Sequence, residues 1–129
     1  MDLAPGDIIK FHSAQAGKLK YHLCVLEITD NKAATFLFMN SGSKGSYPSD
    51  FLLDNSDVPC LPPCKTGKTI ISCSQPVRMN ERQLKLYRAE KMGNLDTNIA
   101  KLLISFVKET KALSKKDKDL VVNGLKRIS

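Results

Sequence analysis

Tryptophan is missing from this chain, and phenylalanine and tyrosine bring the aromatic share to only 6%. A broad base-stacking platform of the kind single-strand-binding sheets use is therefore not expected. No run of about 18 apolar residues occurs, so no membrane-spanning helix is expected. The opening MDLAPGDIIKF carries an early acid and no apolar h-region, so no secretory leader is expected and the cytoplasm is the expected compartment. Cysteine is sparse, and without a leader the four thiols (Cys24, Cys60, Cys64, Cys73) are read as reduced. Cys24 and Cys73 sit singly in apolar runs, as small core residues do. Cys60 and Cys64 bracket Leu-Pro-Pro, a stiff spacer that opposes so short a disulfide. Tight ligand pairs of the kind a structural zinc site uses are lacking. Neither a metal nor a cofactor is expected.

What is present describes a small globular protein. A length of 129 residues, 42% hydrophobic and 26% charged, suits one domain with a real core. The net charge of +7 is lopsided: residues 98–129 hold eight basic and three acidic side chains, giving +5, and the rest only +2. Such a basic tail is either an electrostatic footprint for an acidic partner or the solvated face of a helical segment.

Taken in order, Ala4-Pro5-Gly6-Asp7 is a turn, followed by a strand around Ile8, Ile9 and Phe11. His12–Lys20 is small and polar and reads as a loop. Tyr21–Thr29 reads as a strand buried on both faces near its centre, and Ala34–Met39 as its hairpin partner across Asp30-Asn31-Lys32. Asn40–Ser49 is the most loop-like stretch, with two glycines, four serines and a proline. Phe51-Leu52-Leu53 is a short apolar run, Asp54–Pro63 a turn-rich insertion, and Thr69–Cys73 a further strand. Gly67-Lys68-Thr69 has part of a phosphate-loop pattern, but Pro62 stands where the upstream glycine belongs and a strand follows.

The last third reads as helical. Asp96 or Thr97 caps a helix with Ile99, Leu102, Leu103, Phe106 and Val107 on one face. Ser114, with Asp117 three residues on, starts a second helix carrying Leu120, Val121, Leu125 and Ile128, interrupted by Gly124. The expected class is mainly β with C-terminal helices: a small SH3-like barrel over 1–95 and a helical segment over 96–129.

Four pieces occur in a telling order: Pro5-Gly6-Asp7-Ile8-Ile9, Lys20–Leu26, Phe36–Ser41 and Cys73-Ser74-Gln75-Pro76, the last followed by a basic segment and a helix. From Pro5 to about Val107 the chain resembles the MazF/PemK family of toxin endoribonucleases. The resemblance implies metal-independent cleavage of single-stranded RNA by attack of the 2′-hydroxyl on the adjacent phosphorus. It also implies a homodimer and a cognate antitoxin protein as partner. Such chemistry needs a base, an acid and a group that holds the phosphoryl charge. Carried over, the family's Ser/Thr position is Ser41. Its Arg-Pro pair falls on Tyr21-His22, or on Lys20 with a one-residue slip. Its late Asp and Arg fall on Ser74 and Ser72, so both are lost.

A rebuilt site would use His22 as acid or base, because an ordinary imidazole titrates near about 6.5. Lys20 or Lys18 would be the cation, and His12 a second proton-transfer group. Lys18, the loop residues Ser43 and Lys44, and Arg78, Arg82 and Arg88 are the residues expected to contact RNA. The alternative is a non-catalytic SH3-like barrel that binds RNA or a protein partner in the same groove.

Overall fold

The computed structural model describes residues 1–13, 16–30, 32–42 and 45–128. Its first three strands, β1 (Asp7–Ser13), β2 (Lys18–Leu26) and β3 (Ala34–Ser41), form an antiparallel meander. Of the stretch His12–Lys20, expected as a loop, the described residues His12, Ser13 and Lys18–Lys20 are strand: Phe11 pairs with Lys20, His12 with Leu19 and Ser13 with Lys18, while residues 14–15 lie outside the described residues. Polar residues there continue the ladder because one side of this hairpin end faces solvent, and the turn closes through Gly17 at φ +69°.

Strand β4 (Asp50–Asp54) is followed by a 3₁₀ turn at Asn55–Asp57, then by β5 (Lys68–Ser72) and β6 (Val77–Met79). A short helix α1 (Glu81–Leu86) leads to β7 (Glu90–Asn94). The sheet runs β4-β5-β3-β2-β1-β7, with β6 also on β3. Pairing is antiparallel throughout. Among the described residues no ladder joins β4 to β7, so hydrogen bonds leave the sheet open. The mainly β class with C-terminal helices is as expected.

Helix α1 and strand β7 interrupt what reads in the sequence as one basic segment running into the C-terminal helix. Asn80 and Gln83 form a reciprocal capping box that starts α1. Its end is a Schellman turn: Ala89 N–H donates to Leu84 O, Arg88 N–H donates to Lys85 O, and Arg88 takes φ +58°. That reversal lays residues 90–94 along β1.

Both C-terminal helices form as their caps predict. Asp96 caps α2 (Thr97–Glu109), and Ser114 caps α3 (Lys115–Lys126). Neither is long and apolar enough to cross a membrane. They cover one face of the sheet, burying Leu103, Val107, Val121 and Leu125 against Ile8, Leu23, Val25, Leu37 and Ile71. Leu102, expected on the buried stripe, is instead 59% exposed, because Ala100, Leu103 and Val107 form the inward face. On the opposite sheet face a second cluster, Ile9, Phe11, Cys24, Phe36 and Met79, is covered by Leu84 of α1. Two covered faces explain why Leu23, Cys24 and Val25 are buried in succession. Cys24 and Cys73 are both core thiols, pushed up to about 12 by burial.

Candidate functional site

Strand β3 has two partners along one edge, and this creates a cleft. Ala34–Phe36 pair with β6, whereas Met39–Ser41 pair with β5. The link between β5 and β6 is Cys73-Ser74-Gln75-Pro76, which leaves the ladder beside the middle of β3. Pro76 carries no N–H to donate, so the segment is suited to such a break. Ser74 and Gln75 therefore line a cleft of about 630 Å3 together with Phe38, Asn40, Ile70, Ser72, Tyr47 and Asp50.

Strand alternation decides who faces it. Residues opposite one another in a ladder share a face, so Lys20, His22, Phe38, Asn40, Ile70 and Ser72 stand on one side of the sheet. Lys20 Nζ donates to Asn40 Oδ1 at 3.2 Å. Partial burial, and after it the charge of neighbouring Lys18, lowers the Lys20 pKa. Ser72 and Ser74 hydroxyls are hydrogen-bonded at 3.1 Å. Ser72 and Ser74 are thus adjacent hydroxyls on the wall of one cleft.

His22 lies one layer beneath that surface. Its ring is 1% exposed, stacks on Phe11 at 3.7 Å between centroids, and meets Phe38 edge-on at 5.5 Å. Nδ1 is 3.0 Å from the Lys20 carbonyl oxygen, an acceptor, so the neutral ring carries its proton on Nδ1. Burial pushes the imidazole down to about 4, and it is neutral at pH 7. The geometry is that of a core aromatic that props Phe38.

His12 does not join it. Ile9 is the ladder partner of His22, and His12, three residues on, points to the other face of β1. There it is exposed and stacks near Tyr87, centroids 6.4 Å apart, in a separate hollow with Leu19, Leu86 and Arg88. The two histidines thus stand on opposite faces of the β1–β2 hairpin and form no pair.

Ser41 also faces away from Asn40. Its hydroxyl is 3.1 Å from that of Thr69, which donates to Asn55 Oδ1, so the Ser41 proton is directed at Thr69 Oγ1. Asn55 Nδ2 in turn donates to Pro62 O at 2.9 Å. This relay ties β3 and β5 to the loop after β4.

Arg78 is paired with Asp117 of α3 at 2.7 Å. Arg82 is exposed on the first turn of α1, and Lys18 is exposed at the start of β2 on the same strand face as Lys20. Ser43 and Lys44 lie outside the described residues. Of the residues singled out from sequence, Lys20 reaches the cleft through Asn40, Lys18 shares its strand face, and His22 packs against Phe38 of the cleft lining. Asn40, Asp50 and Tyr47 escaped sequence reasoning, although Asn40 and Ser41 adjoin and only register separates their faces.

No family model matches the chain, and no curated protein matches it. Among the described residues no three His, Cys, Asp or Glu side chains are grouped to hold a metal ion. Chemically, the cleft offers a carboxylate on its wall, several uncharged hydrogen-bonding groups and apolar surface, with the Lys20 ammonium bonded to Asn40 beside it.

Proposed function

We propose that this protein is of the MazF/PemK type and binds single-stranded RNA in the cleft between β3, β5 and the 73–76 segment. The observation that carries the reading is one open cleft lined by Asn40, Ser72 and Ser74, with Lys20 hydrogen-bonded to Asn40 beside it. Lys18 and Lys20 suit phosphate oxygens, and the hydroxyls and amides suit ribose and base edges. The net charge of +7 favours a polyanion, and the ordered motifs that resemble the toxin family point to RNA.

A second reading, cleavage by the strand's own 2′-hydroxyl, is favoured by the lowered Lys20 pKa. A lysine that releases its proton more readily than usual is a better donor to a leaving 5′-oxygen. In that reaction the 2′-hydroxyl gives its proton to solvent water as the O2′–P bond forms, Lys20 protonates O5′ as the P–O5′ bond breaks, and a 2′,3′-cyclic phosphate results. Under either reading a second copy of the chain and an antitoxin protein are the expected partners.

One experiment tests both. Purified protein is mixed with a long single-stranded RNA in EDTA, and retention and fragment ends are recorded across a salt series. The binding reading expects retention that weakens with salt, with a slope reduced by about 0.7 per lost phosphate contact in the Lys18→Ala and Lys20→Ala variants. Discrete fragments ending in cyclic phosphate, abolished by Lys20→Ala, would establish cleavage. No retention at low salt and no fragments would sink both.

A further inference from the structure

A carboxylate inside a cleft for a polyanion needs an explanation, because it repels every phosphate brought near it. Asp50 lines the cleft, and its Oδ2 accepts the backbone N–H groups of Ser46 at 3.1 Å and Tyr47 at 3.2 Å. Those two bonds hold the carboxylate in place and draw the loop ahead of β4 to the cleft. Oδ1 accepts no hydrogen bond among the described residues. Tyr47 beside it is 72% exposed, an aromatic face available for stacking. Phe38 and Ile70 add apolar surface. A fixed acceptor, an open ring and an apolar floor fit a nucleobase better than a phosphate or a ribose.

We infer that Asp50 and Tyr47 form a base pocket that selects guanine, an inference that rests on the RNA-binding reading above. An ionised carboxylate only accepts. Guanine alone presents two adjacent donors on its Watson–Crick edge, N1–H and N2–H, with no acceptor between them. Adenine, cytosine and uracil each set an acceptor beside their donor and aim a lone pair at the carboxylate. Asn40 completes the match. Lys20 can only donate, so the Asn40 atom it meets is Oδ1, and Asn40 Nδ2 is left as a donor suited to guanine O6. The two charges divide the work: Lys20 takes the backbone and Asp50 reads the base.

The test is fluorescence polarisation with four labelled heptamers, six uridines around a central G, A, C or U, using the intact protein in EDTA. Wild type is expected to bind the G heptamer about tenfold or more tighter than the others. Asp50→Asn keeps an oxygen for the Ser46 and Tyr47 N–H groups but turns a donor toward guanine, so it should erase the preference. Tyr47→Ala should weaken all four alike, and thermal melts establish that each variant is folded. Equal affinities in wild type, or a guanine preference that survives Asp50→Asn, would overturn the base pocket while leaving RNA binding intact. Failure of every heptamer and of long RNA to bind would overturn the RNA reading as well.

Discussion

Gly124 in α3 lies so close to β2 that a Cβ built on it would sit 1.8 Å from the carbonyl oxygen of Val25. Glycine inside a helix costs about 1 kcal/mol relative to alanine. Here it lets the helix axis approach the sheet and seat Val121 and Leu125 in the core. Backbone on both sides leaves no flexible atom to yield. Gly124→Ala is expected to destabilise the fold by about 2–4 kcal/mol despite the better helix propensity. Urea denaturation measures it, and a variant as stable as wild type would contradict the contact.

His22 makes stability depend on pH. Its folded pKa, about 4, lies below the ordinary value of 6.5 expected in the unfolded chain. Between these values the unfolded chain binds more protons, so stability rises with pH. The contribution is fully present above 6.5 and is lost as pH falls toward 4. The full difference is about 3 kcal/mol. Denaturation from pH 7.5 to 4 should show wild type losing stability faster than His22→Phe. Parallel profiles would mean that the ring takes up its proton as readily in the fold as in the unfolded chain.

The Ser41–Thr69–Asn55 relay is expected to act on stability and not on RNA. Thr69→Val leaves the buried Asn55 oxygen without its donor and should cost about 1–3 kcal/mol. Ser41→Ala removes one partly buried hydroxyl and should cost about 1 kcal/mol. Both should retain RNA as wild type does. A folded Ser41→Ala protein that no longer binds RNA would return Ser41 to the site.

Arg88 carries a side chain where the Schellman turn needs a left-handed residue. Arg88→Gly is expected to raise stability by about 0.5–1 kcal/mol, since its positive φ is strained for any residue with a Cβ. A lower melting temperature would show that the arginine side chain holds the turn in another way.

Arg78 is engaged by Asp117 at the surface, a pair expected to contribute at most about 1 kcal/mol. Arg78→Ala should leave RNA retention and its salt slope unchanged. A slope reduced by about 0.7 would place Arg78 on phosphate.

By itself, the sequence determined the local pieces. Apolar runs of strand-forming residues marked β1, β2, β3 and β5, and Asp96 and Ser114 announced their helices, because caps and alternation are short-range effects. It also singled out the Cys73–Pro76 segment, through a resemblance of motif, and the structure then placed its proline where the chain leaves the ladder. It pointed to Lys20, which register then brought to Asn40. The rest depended on tertiary structure. A one-residue choice of register turned Ser41 toward Thr69 and Asn40 into the cleft. Packing between Phe11, stacked on it, and Phe38, edge-on to it, converted a histidine with catalytic chemistry into a neutral core ring, since burial penalises its charge. Leu102 kept the right spacing for a buried stripe, but the helix rotated so that Ala100 faced inward and Leu102 faced out. Which side of an element is buried depends on the surface it meets, and that surface is assembled from distant parts of the chain.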